Sequence, residues 1–189
     1  FPIVRAGRFG LGDVARLLGE AELAQRSELA APLTRLRALH AELSAELPTD
    51  LPTGVVHGDL FRDNVLWRDD ELVALLDWES ASDGILVYDL AVTILAWCCG
   101  DTLDWRLARA LVDGYREQRE LEGREWDALW WHLRAGCLRF ATTRIIDVHM
   151  KGTYPMGYKE FGRFLSRLDV IEQSDPRTLA ERLGRDLSV

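Results

Sequence analysis

The sequence lacks the features that mark several classes of protein. No lysine occurs before Lys151, no run of basic residues is present, and the net charge is −8. An acidic chain of this kind is a poor candidate for binding nucleic acid or an anionic membrane surface. No apolar run approaches the ~20 residues that a membrane-spanning helix requires. We therefore expect neither nucleic-acid nor membrane partners.

Cysteine is also scarce. Cys98, Cys99 and Cys137 are odd in number and lie in apolar stretches that are predicted to be helical. Such residues are typically reduced, buried thiols of a cytoplasmic protein. A metal site built on the neighbouring pair Cys98 and Cys99 is the alternative interpretation. We expect reduced thiols and a cytoplasmic location.

The remaining composition is that of a folded domain. Hydrophobic residues make up 48% of the 189 residues, and seven residues are tryptophan. This composition excludes a disordered chain and allows one domain with a substantial core. Apolar residues spaced three and four apart predict helices over residues 13 to about 30, 32–47, 88–99, 104 to about 121, 126–149 and about 158–171, with a short one from Pro176. Asp13, Asp89 and Asp104 are predicted to cap their helices.

The stretch from residue 55 to residue 77 has a different pattern. Short runs rich in valine and leucine flank a cluster of polar residues, and each run is too short for a stable helix. These runs fit buried strands, and residues 68–71 read as a hairpin turn between two of them. The hairpin would bring Asn64 and Asp77 side by side, with Asp59 facing them across the loop.

Those three side chains suit phosphoryl transfer. Asn64 and Asp77 supply neutral and anionic oxygens, which are hard ligands of the kind that Mg²⁺ prefers. Asp59 is a carboxylate that can accept the proton of a hydroxyl nucleophile. A metal that bridges phosphate oxygens beside such a base is the working arrangement of a kinase. The spacing His-x-Asp-x4-Asn, followed by an aspartate at a strand end, is the protein-kinase pattern.

Longer segments resemble a known family. His57-Gly58-Asp59 is similar to the aminoglycoside phosphotransferase and choline kinase group of small-molecule kinases. Within that group, "LPTGVVHGDLFRDNVLW", "ALLDWE" and "VYDLAVTILAWC" look most like the bacterial homoserine kinases, and "LRFATTRIID" adds to the likeness. The resemblance runs from about Leu51 to about His149. One departure is the segment 78–83, where the homoserine kinases carry an aromatic-rich tract.

The resemblance implies an α+β fold, a mainly helical protein-kinase-like C-terminal lobe with a small β-hairpin at the active site. In this division, residues 1–54 are a helical lead-in, residues 55–83 carry the catalytic and metal-binding hairpin, and residues 84–189 form a helical substrate-side subdomain. An N-terminal lobe that clamps the nucleotide is expected to pack on this chain. The glycine-rich stretch 7–12 is interpreted as a turn, because no hydrophobic strand precedes it. Because the resemblance assigns the nucleotide clamp to that N-terminal lobe, the isolated chain is expected to be inactive.

The resemblance also implies roles for single residues, with ATP as the phosphoryl donor and Mg²⁺ as the metal. The assigned roles are Asp59 as the base, Asn64 and Asp77 as metal ligands, Leu66 and Leu76 under the adenine, and His57 and Asp89 as braces of the loop. Substrate contacts are assigned to Arg62, Arg139, Arg144 and Asp147. Arg144 and Asp147 are three residues apart and share a helix face, so they could meet a carboxylate and an ammonium.

Three functions are compatible with these observations. The first is an ATP-dependent kinase of L-homoserine, an enzyme of threonine biosynthesis. The second is a phosphotransferase for aminoglycosides or another amino alcohol. Such substrates are cationic and would require an acidic pocket. The third is a non-catalytic pseudokinase or scaffold lobe, against which the intact motif positions argue.

Overall fold

The structure is a computed structural model that describes Gly7, residues 10–154 and residues 160–186. Within these ranges it is mainly helical and carries four short strands, which confirms the predicted fold. The helices are α1 (Leu11–Leu23), α2 (Ala30–Glu46), α3 (Leu86–Trp97), α4 (Trp105–Gln118), α5 (Gly123–Arg144), α6 (Gly162–Ile171) and α7 (Pro176–Arg182). The strands are β1 (Thr53–Val56), β2 (Val65–Arg68), β3 (Glu71–Leu75) and β4 (Ser82–Ile85).

Helix α5 is the centre of the core. It packs against α1, α2, α3, α6 and α7, and its buried residues lie on every side of the helix. A helix of this kind is stable only inside a protein, since no face is left for solvent. Gly136 permits the close crossing with α3, because a Cβ atom there would lie 2.8 Å from Leu95 Cδ1. At the C-terminal end, α5 continues into a π-helical turn, Ile145–Met150.

The strands pair differently from the sequence prediction. β2 and β3 form the expected antiparallel hairpin, whereas β1 pairs antiparallel with β4, with Val56 opposite Ser82. The sequence predicts no strand between Asp77 and the helix that starts near residue 88, and this was wrong, because β4 lies there. Gly84 allows this pairing, since a Cβ atom there would lie 2.8 Å from Val56 Cγ2. The sequence Ser-Asp-Gly-Ile is a weak strand former, which explains why it was missed.

Most helices were predicted, and their ends differ by a few residues. Asp104 caps α4 as predicted, accepting hydrogen bonds from the backbone nitrogens of Arg106 and Leu107 at 3.0 Å each. Helix α1 ends at Leu23, earlier than predicted, and Gln25 has a positive φ of 50°. Asp13 lies inside the first turn of α1, where it accepts a hydrogen bond from Gly10 N at 3.2 Å. Two predictions concern residues that lie partly outside the described ranges: the turn over 7–12, and the helix start near 158.

The cysteines are buried and none is in a disulfide. Burial raises the pKa of the Cys98 thiol to about 11 and that of Cys99 to about 12. The pKa of Cys137 is raised further, for the same reason. These thiols are protonated at neutral pH and serve as small apolar core groups. In the part of the chain that the structure describes, no helix is both long and apolar enough to cross a bilayer.

His132 on α5 is a buried titratable group whose burial has a measurable consequence. Its side chain is 2% exposed, and Nε2 lies 3.2 Å from the carbonyl oxygen of Pro48, so Nε2 carries the proton. Burial lowers the pKa of His132 from 6.5 to about 4. Between those values the unfolded chain binds a proton that the folded chain does not. Falling pH therefore favours the unfolded state by up to about 3 kcal/mol.

We expect His132→Gln to remove this contribution. The free energy of unfolding of the parent should fall between pH 7 and pH 4.5 more steeply than that of the variant, as measured by urea titration at each pH. His40→Gln is the control, because His40 Nε2 also bonds a carbonyl oxygen, Leu11 O at 2.9 Å, but the side chain is only half-buried. An equal pH dependence in His132→Gln and the parent would contradict the prediction.

Candidate active site

Residues 57–64 form the loop between β1 and β2, and its shape depends on Gly58. Gly58 has φ 73°, a left-handed conformation that glycine adopts without steric cost. This turn reverses the chain directly after β1, so that Asp59 follows it into the cleft described below. Farther along, Phe61 N donates to Asp59 O at 2.8 Å and Asn64 N donates to Phe61 O at 3.0 Å. The loop is therefore a sequence of tight turns.

Asp89 on α3 braces this loop through hydrogen bonds. Its two carboxylate oxygens accept hydrogen bonds from His57 N at 2.9 Å and from Gly58 N at 2.7 Å. The prediction that Asp89 caps its helix was wrong, because α3 begins three residues earlier with no side-chain cap. The bracing position that the family resemblance implied is the one that the geometry supports. A carboxylate that receives two backbone amides orders the turn on which Asp59 depends.

His57 connects the loop to the end of β3. Asp59 N donates to His57 Nδ1 at 3.2 Å, and His57 Nε2 lies 2.8 Å from Leu76 O. A carbonyl oxygen can only accept, so Nε2 carries the hydrogen and the ring is the neutral Nε2–H tautomer. The ring is buried and packs against Trp78 with centroids 4.9 Å apart. These contacts leave His57 no free nitrogen for acid or base chemistry.

Arg139 braces the same loop from the central helix. Its Nη1 donates to Gly58 O and to the Tyr88 hydroxyl, the latter at 3.1 Å. The side chain is buried. The family resemblance implied a substrate contact for Arg139; the structure places its guanidinium on the loop backbone and also at the wall of the cleft described below. Tyr88 is a brace that the sequence analysis did not identify.

We expect Asp89→Asn to destabilise the chain by about 1–3 kcal/mol, the usual cost of a buried donor left unpaired. The asparagine amide can accept from one backbone N–H only, and its own NH₂ faces the other. Urea unfolding of the variant and the parent at neutral pH measures the difference. Asp169→Asn is the control, since Asp169 forms an exposed ion pair with Arg35 and should contribute 1 kcal/mol at most, roughly. Equal stabilities of Asp89→Asn and the parent would show that the brace is not needed.

The structure brings the predicted catalytic and metal-binding residues into one cleft. Asp59, Asn64 and Asp77 all line a cavity of about 210 Å³. Leu76 N donates to Asn64 O at 2.8 Å, which places Asp77 beside Asn64 at the end of the hairpin. Asp77 adopts a left-handed conformation with φ 59° and ψ 54°. This unusual backbone turns the chain sharply after β3, and such residues cluster at functional sites.

The cleft oxygens fit a hard divalent cation. Asn64 Nδ2 donates to Asp59 O at 2.7 Å, which leaves Oδ1 as the atom available to a ligand. In the described part of the chain, no group of three His, Cys, Asp or Glu residues is close enough to hold a metal by itself. Mg²⁺ is usually held by one or two protein oxygens together with phosphate and water. Asn64 and Asp77 match that requirement.

Arg144 and Asp147 lie in the same cleft, as predicted from their spacing. The Arg144 guanidinium stacks on Phe164 at 4.5 Å and on Phe61 at 5.8 Å. Burial, and then the charges of nearby arginines, lower the pKa of Arg144 to about 10, so it remains a cation at neutral pH. Asp147 Oδ1 lies 3.5 Å from Lys151 Nζ in an exposed ion pair. Arg144 and Asp147 thus place a cation and an anion three residues apart in this cleft, which Arg139 also lines.

Three assigned residues lie outside the acidic cleft. Arg62 Nη2 donates to Trp97 O at 2.6 Å, and its guanidinium lies over the Trp97 ring. It does not line the cavity, so we no longer assign it to the substrate. Leu66 and Leu76 are 47% and 38% exposed on the hairpin, where an apolar ring could cover them.

The cleft also contains residues that the sequence analysis did not select. They are Phe61, Asp63, Glu79, Ser80, Phe140, Thr143 and Tyr154. Phe61 and Phe140 pack edge to face with ring centroids 4.9 Å apart, and they form the apolar floor beside Arg144. No local pattern marks these residues, because they come from four separate segments. Phe61 and Asp63 lie within the His-x-Asp-x4-Asn spacing, but at positions that the pattern leaves open.

Comparisons with known proteins show the family to which the chain is similar. The sequence matches the model of the phosphotransferase enzyme family (APH) over residues 2–130. It is 39% identical over 149 residues to the homoserine kinase of Methylobacterium radiotolerans, covering 78% of this chain and 46% of that protein. The homoserine kinase of Rhodopseudomonas palustris is 42% identical over 118 residues, 59% of this chain and 36% of its own. That of Pseudomonas aeruginosa is 40% identical over 126 residues, 64% of this chain and 37% of its own.

The helical lobe, the hairpin and the cleft together define a kinase-like phosphotransferase lobe. The family match covers more than half of the chain. The chain therefore belongs to the phosphotransferase enzyme family. It spans less than half the length of the curated relatives that it matches.

Proposed function

We propose that this chain is the C-terminal lobe of an ATP- and Mg²⁺-dependent kinase that phosphorylates the hydroxyl group of L-homoserine. The observation that carries the proposal is the shared cleft of Asp59, Asn64, Asp77, Arg144 and Asp147. It combines a base, two metal-binding oxygens and a pair of opposite charges for a zwitterion. The names of the relatives support the choice of acceptor.

In this proposal Asp59 accepts the proton of the acceptor hydroxyl. The oxygen then forms a bond with the γ-phosphorus of ATP, and the bond from that phosphorus to the bridging oxygen breaks, which releases ADP. The backbone of Asp59 is fixed by His57 and Asn64, so its carboxylate is positioned before the substrate arrives. Positioning and electrostatics supply nearly all of the catalysis in phosphoryl transfer.

Asn64 and Asp77 would hold Mg²⁺, which neutralises charge on the phosphate oxygens when bound. Leu66 and Leu76 would lie against the adenine, because they are exposed apolar side chains on the adjoining hairpin. The relatives extend well beyond the matched region, and we assign the remaining nucleotide contacts to a further lobe that packs on this one. The 189-residue chain alone is accordingly expected to fold and to release no ADP.

We choose between the two candidate acceptors by the charges in the cleft. Homoserine carries one carboxylate and one ammonium, which match Arg144 and Asp147. Aminoglycosides carry several ammonium groups and no carboxylate, so a pocket that binds them would require acidic residues and no arginine. Asp63 and Glu79 in the same cleft favour that rival. Arg144, half-buried and facing the cavity, favours homoserine.

The test is an ADP-release assay on an enzyme of the relatives' full length that contains this chain, with homoserine and kanamycin in parallel. We expect homoserine-dependent ADP release and none with kanamycin. Release with kanamycin alone would assign the enzyme to the aminoglycoside phosphotransferases. Release with neither substrate would favour the non-catalytic alternative and overturn the proposal.

A further inference from the structure

The arginines of this acidic chain are almost all neutralised when they are buried. Among the described residues, the buried and half-buried arginines, with two exceptions, bond a carboxylate, or a carbonyl in the case of Arg139, which lines the cleft. The pairs are Arg35 with Asp169, Arg37 with Glu22, Arg116 with Glu120, Arg119 with Glu125, Arg134 with Glu42 and Arg185 with Asp127. Burying a cation is costly unless it is paired, so this pattern is the expected one.

Arg144 and Arg167 are the two exceptions in the described part of the chain. Both are half-buried, and among the described residues no carboxylate or carbonyl lies within hydrogen-bond or ion-pair distance of either one. Arg167 Nη1 is fully enclosed and has no hydrogen-bond partner within the described ranges. An uncompensated pair of this kind costs stability unless an anion completes it.

The two exceptions are neighbours. Their guanidinium carbons lie 4.5 Å and 4.7 Å from the centroid of the same ring, that of Phe164. Arg163 stands one turn before Arg167 on α6 and is exposed, and its charge also acts on Arg144. Asp59 and Asp63 are the carboxylates that act on Arg144 from across the cleft, and both do so from beyond ion-pair distance.

We infer that Arg144 and Arg167 form an anion subsite at the aromatic end of the cleft, and that it receives the carboxylate of the acceptor. Arg144 lines the cavity and makes the contact. Arg167 lies on the same Phe164 ring and is a positioning residue. The inference rests on the proposed function for the identity of the anion, since phosphate offers the same chemistry.

The subsite explains why the cations are left open. A carboxylate beside the Arg144 guanidinium gains charge-assisted hydrogen bonds in a partly desolvated position, and the charge of Arg167 adds to the attraction. The aromatic rings beneath exclude water and hold the guanidinium planes by stacking. Neither Arg163 nor Arg167 was selected from the sequence, because both lie more than ninety residues after the catalytic motif in a helix with ordinary amphipathic spacing.

The experiment compares homoserine with 3-aminopropan-1-ol, which has the same hydroxyl and ammonium and lacks the carboxylate. In the enzyme of full family length, Arg144→Gln should raise the KM for homoserine by roughly 100-fold, and Arg167→Gln by roughly 10-fold. The KM for 3-aminopropan-1-ol and for ATP should stay unchanged in both. Arg167→Lys, which keeps the charge, should restore most of the homoserine KM, whereas a purely structural role would not be rescued.

Arg116→Gln is the matched control, because Arg116 is also half-buried and stacks on an aromatic ring, Trp126 at 5.7 Å. It should leave both substrates unaffected. Equal losses for homoserine and 3-aminopropan-1-ol in Arg144→Gln would assign the subsite to phosphate and overturn the carboxylate assignment. Unchanged kinetics in Arg144→Gln and Arg167→Gln would overturn the subsite while leaving the proposed kinase activity intact.

A binding measurement separates the subsite from the proposed function. 4-Hydroxybutyrate, which has the carboxylate and the hydroxyl but no ammonium, is titrated into the enzyme by calorimetry. Binding that is lost in Arg144→Gln and weakened in Arg167→Gln supports the subsite even if homoserine is not turned over. Binding of equal strength in parent and variants overturns it.

Discussion

Asp59→Asn is expected to lower the turnover number of the full-length enzyme by about 10²–10⁴-fold, the usual contribution of a positioned base. The KM for ATP should change little. The substitution is isosteric and leaves in place the hydrogen bonds that the backbone of this residue makes. Its N–H donates to His57 Nδ1, and its carbonyl accepts from Phe61 N and Asn64 Nδ2. The loss therefore reports on the carboxylate and not on the loop. Steady-state kinetics with homoserine measures it.

The control for Asp59→Asn is Asp101→Asn, an exposed aspartate in the connection between α3 and α4. It changes the net charge by the same amount and should leave turnover unchanged. A near-normal turnover number for Asp59→Asn would place the base elsewhere. An equal loss in both variants would indicate a general charge effect and remove the special role of Asp59.

Asp77→Asn is expected to abolish the Mg²⁺ dependence of ATP binding. Replacing a residue that only hydrogen-bonds to a metal ligand typically weakens metal binding by roughly 10–100-fold. Asp77→Asn removes the charge of the ligand itself, so the affinity for ATP in the presence of Mg²⁺ should fall by more than this. Asparagine is the appropriate replacement because Asp77 has φ 59°, a conformation that asparagine tolerates and alanine does not. Calorimetric titration of ATP with and without Mg²⁺ measures the coupling.

Asp70→Asn serves as the control for the metal site. Asp70 is an exposed residue at the tip of the same hairpin, and its replacement should leave the Mg²⁺ dependence intact. If Asp77→Asn binds ATP with the same Mg²⁺ dependence as the parent, the metal is held by other residues. Asp63 and Glu79, which also line the cleft, would then be the next carboxylates to test.

The catalytic end of the cleft was readable from the sequence because its residues lie close together in the chain. Asp59, Asn64 and Asp77 occupy one loop and one hairpin, so short-range turn and strand signals were enough to bring them together. β4 was missed because Ser82, Asp83 and Gly84 are poor strand formers. Its pairing with β1 depends on a close backbone approach at Gly84, which becomes visible only in three dimensions.

The bracing and substrate contacts were harder to predict because they join distant segments. Arg139 lies on the predicted helix and lines the cleft, but its bond to Gly58 O was not anticipated, because that bond joins residues 81 positions apart in the sequence. Asp89 was predicted to be a cap because aspartates near helix starts usually are caps. No sequence pattern marks Arg167. It stands out because no described carboxylate lies beside it, and ion pairing across a core cannot be predicted from spacing.

The contacts of the catalytic loop also determine how it moves. The amide hydrogens of His57 and Gly58 are bonded to Asp89 on α3, and the carbonyl of Gly58 is bonded to Arg139 on α5, the central helix. We therefore expect this loop to open only together with the helical core. These amides will exchange with deuterium at the slow rate set by global unfolding of the helical core, together with those of α5, whereas the exposed hairpin exchanges by local fraying.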